Sequence, residues 1–156
     1  MPGYGVAPPD GGIGLLPWSW AVERLVASHD YWLATRWPDG RPHVMPVWAV
    51  WHADALWFSS SNGSRKTRNL RADPRCAMTT DNAVAPVVVE GTAEPVVDES
   101  ELRTVLDLEN AKYSTAYGME LFDPALNTCF RLRPDRAFGI AEDEFTTSPT
   151  RWTFRG

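Results

Sequence analysis

Apolar and polar positions alternate with a period near two over most of the chain, and change to helical spacing in three stretches. Trp20, Val22, Leu25 and Val26 recur at near-helical spacing, which predicts a helix over 19–27. Residues 31–36 have strand composition, and Pro38-Asp39-Gly40 is a turn signal. The run 42–52 carries His43, Met45, Val47, Ala49 and Trp51 on one face and Val44, Pro46, Trp48 and Val50 on the other. Two largely apolar faces predict a central strand packed on both sides. Pro46 cannot donate to a ladder, so pairing should lapse there. Ala53-Asp54 reads as a tight turn before a strand over 56–60.

Ser/Asn/Gly residues follow, and Ser64 can cap a short helix from Arg65 to about Arg71. Ala72-Asp73-Pro74 breaks it. Strands are expected over 75–80 and 84–97, with Gly91 marking a bulge or bend. Asp98 or Ser100 can cap a helix over 101–117, whose stripe is Leu102, Val105, Leu106 and Leu108. A hairpin over 127–133 and 137–141, turning at Pro134-Asp135, and a short strand over 150–154 complete the chain. Residues 1–14, rich in Gly and Pro, are expected to form an irregular arm ahead of one domain over 15–156. Short strands, hairpins and few helices predict a mainly β fold, a β-barrel with a few flanking helices. No Gly-x-Gly-x-x-Gly follows a strand, which argues against a dinucleotide fold.

Composition narrows this picture. The 156 residues suffice for one core, and 44% hydrophobic with 22% charged residues is globular. Eight Trp residues are expected in the core, at an interface or on a flat ligand. Cys76 and Cys129 are too few for a disulfide framework and lack metal-site spacing. The start lacks a basic segment and an apolar h-region, and no apolar run reaches membrane-spanning length, so a cytoplasmic protein away from membranes is expected.

Candidate chemistry concentrates in Ser59-Ser60-Ser61-Asn62-Gly63-Ser64-Arg65-Lys66. A helix N-terminus offers unpaired N–H groups and a partial positive charge. Arg65, Lys66, Arg68, Arg71 and Arg75 reinforce it, although the chain's net charge is -5. A local basic cluster on an acidic chain suits one phosphate- or carboxylate-bearing small molecule better than a nucleic acid. A plain solvated basic face is the competing reading. His29, His43 and His52 are not spaced as a metal site.

Three segments together carry a family likeness. They are Gly40-Arg41-Pro42-His43-Val44-Met45-Pro46-Val47-Trp48, then Leu56-Trp57-Phe58-Ser59, then Ser64-Arg65-Lys66-Thr67-Arg68-Asn69-Leu70-Arg71-Ala72-Asp73-Pro74-Arg75. The chain resembles the flavin/deazaflavin-binding split β-barrels of the pyridoxamine 5′-phosphate oxidase-like superfamily, from about Trp18 to Phe154. The resemblance implies a homodimer with two cofactor sites at the subunit interface. It gives the cofactor phosphate to Ser64, Arg65 and Lys66, with Asn69 one turn further on. It lays Met45, Pro46, Val47 and Trp48 against the tricyclic ring, and places Ser59, Ser60 and Ser61 near the ribityl chain and phosphate. The Arg-rich ending of true pyridoxamine phosphate oxidases is missing at Ser148-Pro149-Thr150-Arg151-Trp152, which points away from that reaction. The basic helix is more similar to the branch that uses coenzyme F-420, whose tail is polyanionic and would engage Arg68, Arg71 and Arg75.

Three classes of function follow from that resemblance. The first is an F-420-dependent oxidoreductase moving a hydride between the cofactor and a small conjugated organic substrate. The second is an FMN-dependent oxidoreductase, and the third a non-catalytic flavin, deazaflavin or tetrapyrrole binder. Because such cofactors carry the chemistry themselves, no catalytic side chain is assigned. His43 lies near the proposed ring, where both a structural histidine and a proton donor are compatible. Tyr113 and Tyr117, at i, i+4 on the expected helix, are read as packing or pocket-lining residues.

Overall fold

The computed structural model describes residues 5, 6, 8 and 14–154; most of the expected arm over 1–14 lies outside them. Eight strands form one curled, half-barrel sheet flanked by three α-helices. In chain order these are α1 (Trp18–Ala27), β1 (Tyr31–Arg36), β2 (Pro42–Val47), β3 (Val50–His52), β4 (Ala55–Ser61), α2 (Arg65–Ala72), β5 (Arg75–Thr80), β6 (Val87–Val96), α3 (Glu99–Tyr113), β7 (Asn127–Gly139) and β8 (Thr150–Thr153). The sheet runs β2-β1-β5-β6-β7-β4-β3, with β8 added to β7. All its pairings are antiparallel. The alternating pattern implied a β-barrel with flanking helices and the resemblance a split one, and the sheet has that form.

The concave face buries Leu33, Leu56, Phe58, Met78, Val87, Val89, Phe130 and Leu132 around Leu25 of α1 and Leu70 of α2. A second core forms under α3, where Leu102, Val105 and Leu106 meet Trp57, Val96 and Cys129. Trp18 packs edge-on against Trp51, Trp152 and Phe154, joining α1 to β3 and β8. Ala53 and Asp54, both at positive φ, close the two-residue hairpin between β3 and β4.

Four expectations are corrected. Residues 42–52 are not one central strand: β2 is a sheet edge, and Val44, Met45 and Pro46 are exposed. The ladder with β1 continues through Trp32↔Pro46 rather than lapsing. An edge strand has one unpaired side, where a missing N–H costs nothing. The strand ends before Ala49 because α3 claims that residue's backbone: Ala49 N–H donates to Tyr113 Oη at 2.9 Å, and Lys112 Nζ donates to the Ala49 carbonyl at 2.7 Å.

The second correction is at Pro134-Asp135, which is not a hairpin turn. β7 runs straight through it, bordering β4 first and β8 afterwards. Glu90↔Arg136 and Gly91↔Pro134 leave Asp135 as the extra residue of a bulge. Gly91 is required there, since a Cβ would lie 1.9 Å from the Arg133 carbonyl oxygen. Third, the strand expected over 84–97 is shorter, Val87–Val96. Fourth, α3 starts earlier and stops at Tyr113. Asp98 caps it through Glu101 N–H, and left-handed Ser114 ends it. Asn110 then holds the Tyr117 backbone at both N–H and C=O, 2.9 Å each, in place of another turn. Tyr113 and Tyr117 therefore do not share a helix face.

Candidate functional site

β2 and β3 are consecutive in sequence yet sit at opposite edges of the sheet, so the curl brings its two edges together at Trp48-Ala49. β3 pairs only with Ala55–Trp57 of β4. Beyond that point Phe58–Ser61 has β7 alone as its sheet partner, and the far side of β2 is unpaired among the described residues. The barrel is open along this seam. α2 packs against β1 and β4 at its end.

Ser64 fixes the start of α2. Its Oγ accepts from Thr67 N–H at 3.2 Å and lies 2.8 Å from Ser60 Oγ. The cap serves the third amide, which leaves the Arg65 and Lys66 amides without intrahelical acceptors, as at any helix start. Lys66 is half-buried and has no side-chain partner among the described residues. The Arg65 guanidinium lies 3.7 Å from the Trp37 ring centroid, and that of Arg41 lies 4.4 Å from it. Trp37 therefore holds Arg65 beside the helix start by cation–π attraction.

Asn69 is fully buried, behind this surface rather than on it. Its Nδ2 donates to Thr35 Oγ1 at 3.0 Å, and Thr35 Oγ1 lies 3.3 Å from His43 Nδ1. The amide oxygen of Asn69 has no partner among the described residues. This chain of polar groups links α2 to β1 and β2. Neither Trp37 nor Thr35 was singled out from the sequence, because a cation–π contact and a cross-strand hydroxyl leave no local motif.

The three serines of β4 do not converge. Ser60 faces the barrel interior and bonds Ser64, whereas Ser59 is half-buried and Ser61 exposed on the alternate face. Of the ring-facing candidates, Met45 and Pro46 are exposed on β2, Val47 is buried in the core, and Trp48 stacks on Tyr113.

The arginine surplus is smaller than its count. Arg75 and Arg36 both bind Asp73, at 2.9 and 2.8 Å, and hold its carboxyl well below the usual carboxylate range. Arg71 donates to Asn62 Oδ1 at 2.8 Å and Thr128 Oγ1 at 3.1 Å. Arg68 is exposed and, among the described residues, unpaired. Burial pushes the Cys76 and Cys129 thiols up to about 12, which disfavours the thiolate at both. No group of three or more His, Cys, Asp or Glu among the described residues could hold a metal ion. No described helix is long and apolar enough to cross a membrane.

The chain is a half-barrel with a serine-capped helix start at its open seam. The sequence model of the pyridoxamine 5′-phosphate oxidase family matches residues 21–141, and the chain belongs to that family. Among solved structures it is similar to an F420 reductase, with 29% identity and a TM-score of 0.60 over 74% of this chain and 93% of that one. It is also similar to a conserved hypothetical protein from Mycobacterium tuberculosis, at 23% identity and TM-score 0.73 over 86% and 91% of the two chains. A heme binding protein from Mycobacterium smegmatis aligns at 19% identity and TM-score 0.70, over 88% and 59%. The last two show the fold alone. No curated protein matches the chain.

Proposed function

We propose that the chain is an oxidoreductase that uses coenzyme F-420 to move a hydride to or from a small conjugated organic substrate. The observation that carries this reading is the start of α2, where Ser60 and Ser64 are joined and the Arg65 and Lys66 amides are left free beside an unpaired Lys66. An anionic cofactor group fits there: the site offers two amides and an ammonium, while the Ser60, Ser64 and Thr67 hydroxyls bond one another and fix the cap. Similarity to an F420 reductase supports the choice of deazaflavin.

In this reading Ser64, Arg65 and Lys66 hold the phosphate, with Ser60 fixing Ser64. Ser59 and Ser61, on the other face of β4, are placed at the margin of the ribityl chain. Met45, Pro46, Val47 and Trp48 form the wall beside the ring, with Val47 backing it from the core. Asn69 acts from behind, setting Thr35 and His43. The deazaflavin supplies the hydride chemistry; the chain binds, orients and shields it. Exposed Trp32 and Val44 lie on the outer sheet face, beside Pro46. We assign this apolar face to pairing of two copies of the chain.

FMN is the second reading, favoured by the loss of Arg75 to Asp73. Fluorescence titration with each cofactor, at low and high salt, separates the two. The F-420 reading requires tighter binding of F-420 and a steeper salt dependence, since exposed charges are screened beyond about 10 Å at moderate ionic strength. Tighter FMN binding at both salts overturns it. Absence of turnover with the reduced cofactor across conjugated acceptors would leave a carrier.

A further inference from the structure

His43 stands directly opposite Thr35 across the β1–β2 ladder, on the face that Val47 buries in the core. Thr35 is buried and Asn69 fully so. Thr35 Oγ1 accepts from Asn69 Nδ2 at 3.0 Å, which leaves its own proton for the other side-chain atom it meets, His43 Nδ1 at 3.3 Å. Nδ1 therefore accepts, and the neutral ring carries its proton on Nε2. The opposite tautomer would leave the buried Thr35 proton without a side-chain acceptor among the described residues. The Trp37 ring meets the imidazole edge-on, with 6.4 Å between centroids, and steadies its plane.

Nδ1 faces β1, and the two nitrogens lie on opposite flanks of an imidazole ring. Nε2 thus faces away from β1, over the unpaired side of β2 and so over the open seam. His43 is half-buried, and its Nε2 has no partner among the described residues.

The place of His43 along β2 selects what can meet that N–H. On one side Trp37 contacts both the His43 ring and the Arg65 guanidinium, at the start of α2. On the other, two residues and about 7 Å further along the strand, Met45 begins the wall assigned to the cofactor ring. His43 lies between the phosphate cradle and the ring wall.

We propose that His43 is a cofactor-positioning donor, whose Nε2–H bonds a hydroxyl of the polyol chain joining phosphate to ring. Thr35 and Asn69 are positioning residues that fix its tautomer. The proposal rests on the cofactor reading above. F-420 and FMN share the ribityl chain, so the donor serves either.

The test reads the imidazole nitrogens of the whole chain by heteronuclear NMR at about pH 8, above the ordinary imidazole range, and then titrates F-420. The chain has three histidines, and the signals lost in His43→Gln belong to His43. Without ligand, His43 should carry its proton on Nε2, and Thr35→Val should abolish that preference. F-420 should shift the Nε2 signals, whereas inorganic phosphate, which has no polyol, should leave them in place. His43→Leu should weaken F-420 binding about three- to tenfold, the worth of one neutral hydrogen bond. His43→Gln, which keeps an N–H donor, should hold it within about twofold. A proton on Nδ1, a tautomer indifferent to Thr35→Val, or an Nε2 that answers to phosphate as it does to F-420 overturns the proposal. So does a His43→Leu chain that binds as the parent does, or a His43→Gln chain as weak as His43→Leu; in each case the cofactor reading stands. A parent chain that binds neither F-420 nor FMN overturns the cofactor reading, and the donor role with it.

Discussion

Ser60 Oγ lies 2.8 Å from Ser64 Oγ, which ties the end of β4 to the start of α2 across the turn at Ser61–Gly63. The hydroxyl that caps the helix is thereby held by the strand. Fold and proposed phosphate site meet in one side chain, and two substitutions can separate them.

Ser64→Ala removes the acceptor of Thr67 N–H and should cost about 1 kcal/mol of stability. Ser64→Asp keeps a capping oxygen but sets a carboxylate where an anion is to bind. It should hold its stability and lose cofactor affinity. Urea denaturation and cofactor titration of both variants check this; affinity that merely follows stability contradicts the assignment.

Arg75 is neutralised by Asp73 and Arg68 is not paired. Arg75→Ala should leave F-420 affinity within about twofold, whereas Arg68→Ala should weaken it about two- to fivefold at low salt, the worth of one exposed ion pair. High salt should erase the Arg68 effect. The reverse order of the two variants would show that the tail runs toward β5.

Thr35 holds Asn69 and meets His43. Thr35→Val leaves the buried Asn69 amide without its acceptor and should destabilise the chain by about 1–3 kcal/mol. Denaturant midpoints at unchanged slope measure it, and a change under half a kilocalorie would mean the network is idle.

Burial pushes the Glu109 carboxyl up to about 7, against the pull of Lys112. The folded value is above the unfolded one, so stability from this group is fully present below about pH 4.5 and is lost as pH rises through 7. Lys112, at about 8, titrates mainly above that window. Glu109→Gln should therefore gain about 1–3 kcal/mol on the parent chain between about pH 4.5 and 7. Parallel stability curves for the two chains would contradict this.

The helix start was legible because its cause is local: Ser64 caps Thr67, three residues on. Gly91 likewise announced the bulge observed beside it. What the sequence hid depended on distant partners. Pro134-Asp135 looks like a turn, and only the facing Gly91 shows that the chain goes straight on. The break after Val47 is made by Tyr113 and Lys112, more than sixty positions away. Counting arginines overstated the free charge, because Asp73 and Asn62 absorb Arg75 and Arg71 in ways that composition does not record.

The cofactor assignment is tested most directly by F-420 titration of the parent chain and Lys66→Ala. Lys66 is half-buried at the helix start, without a side-chain partner among the described residues, so its loss should leave the unfolding midpoint unchanged. The dissociation constant should rise roughly ten- to a hundredfold, as for one charge-assisted phosphate contact of about 1.5–3 kcal/mol. An unchanged dissociation constant in a folded Lys66→Ala chain would contradict the placement of the cofactor phosphate at the start of α2.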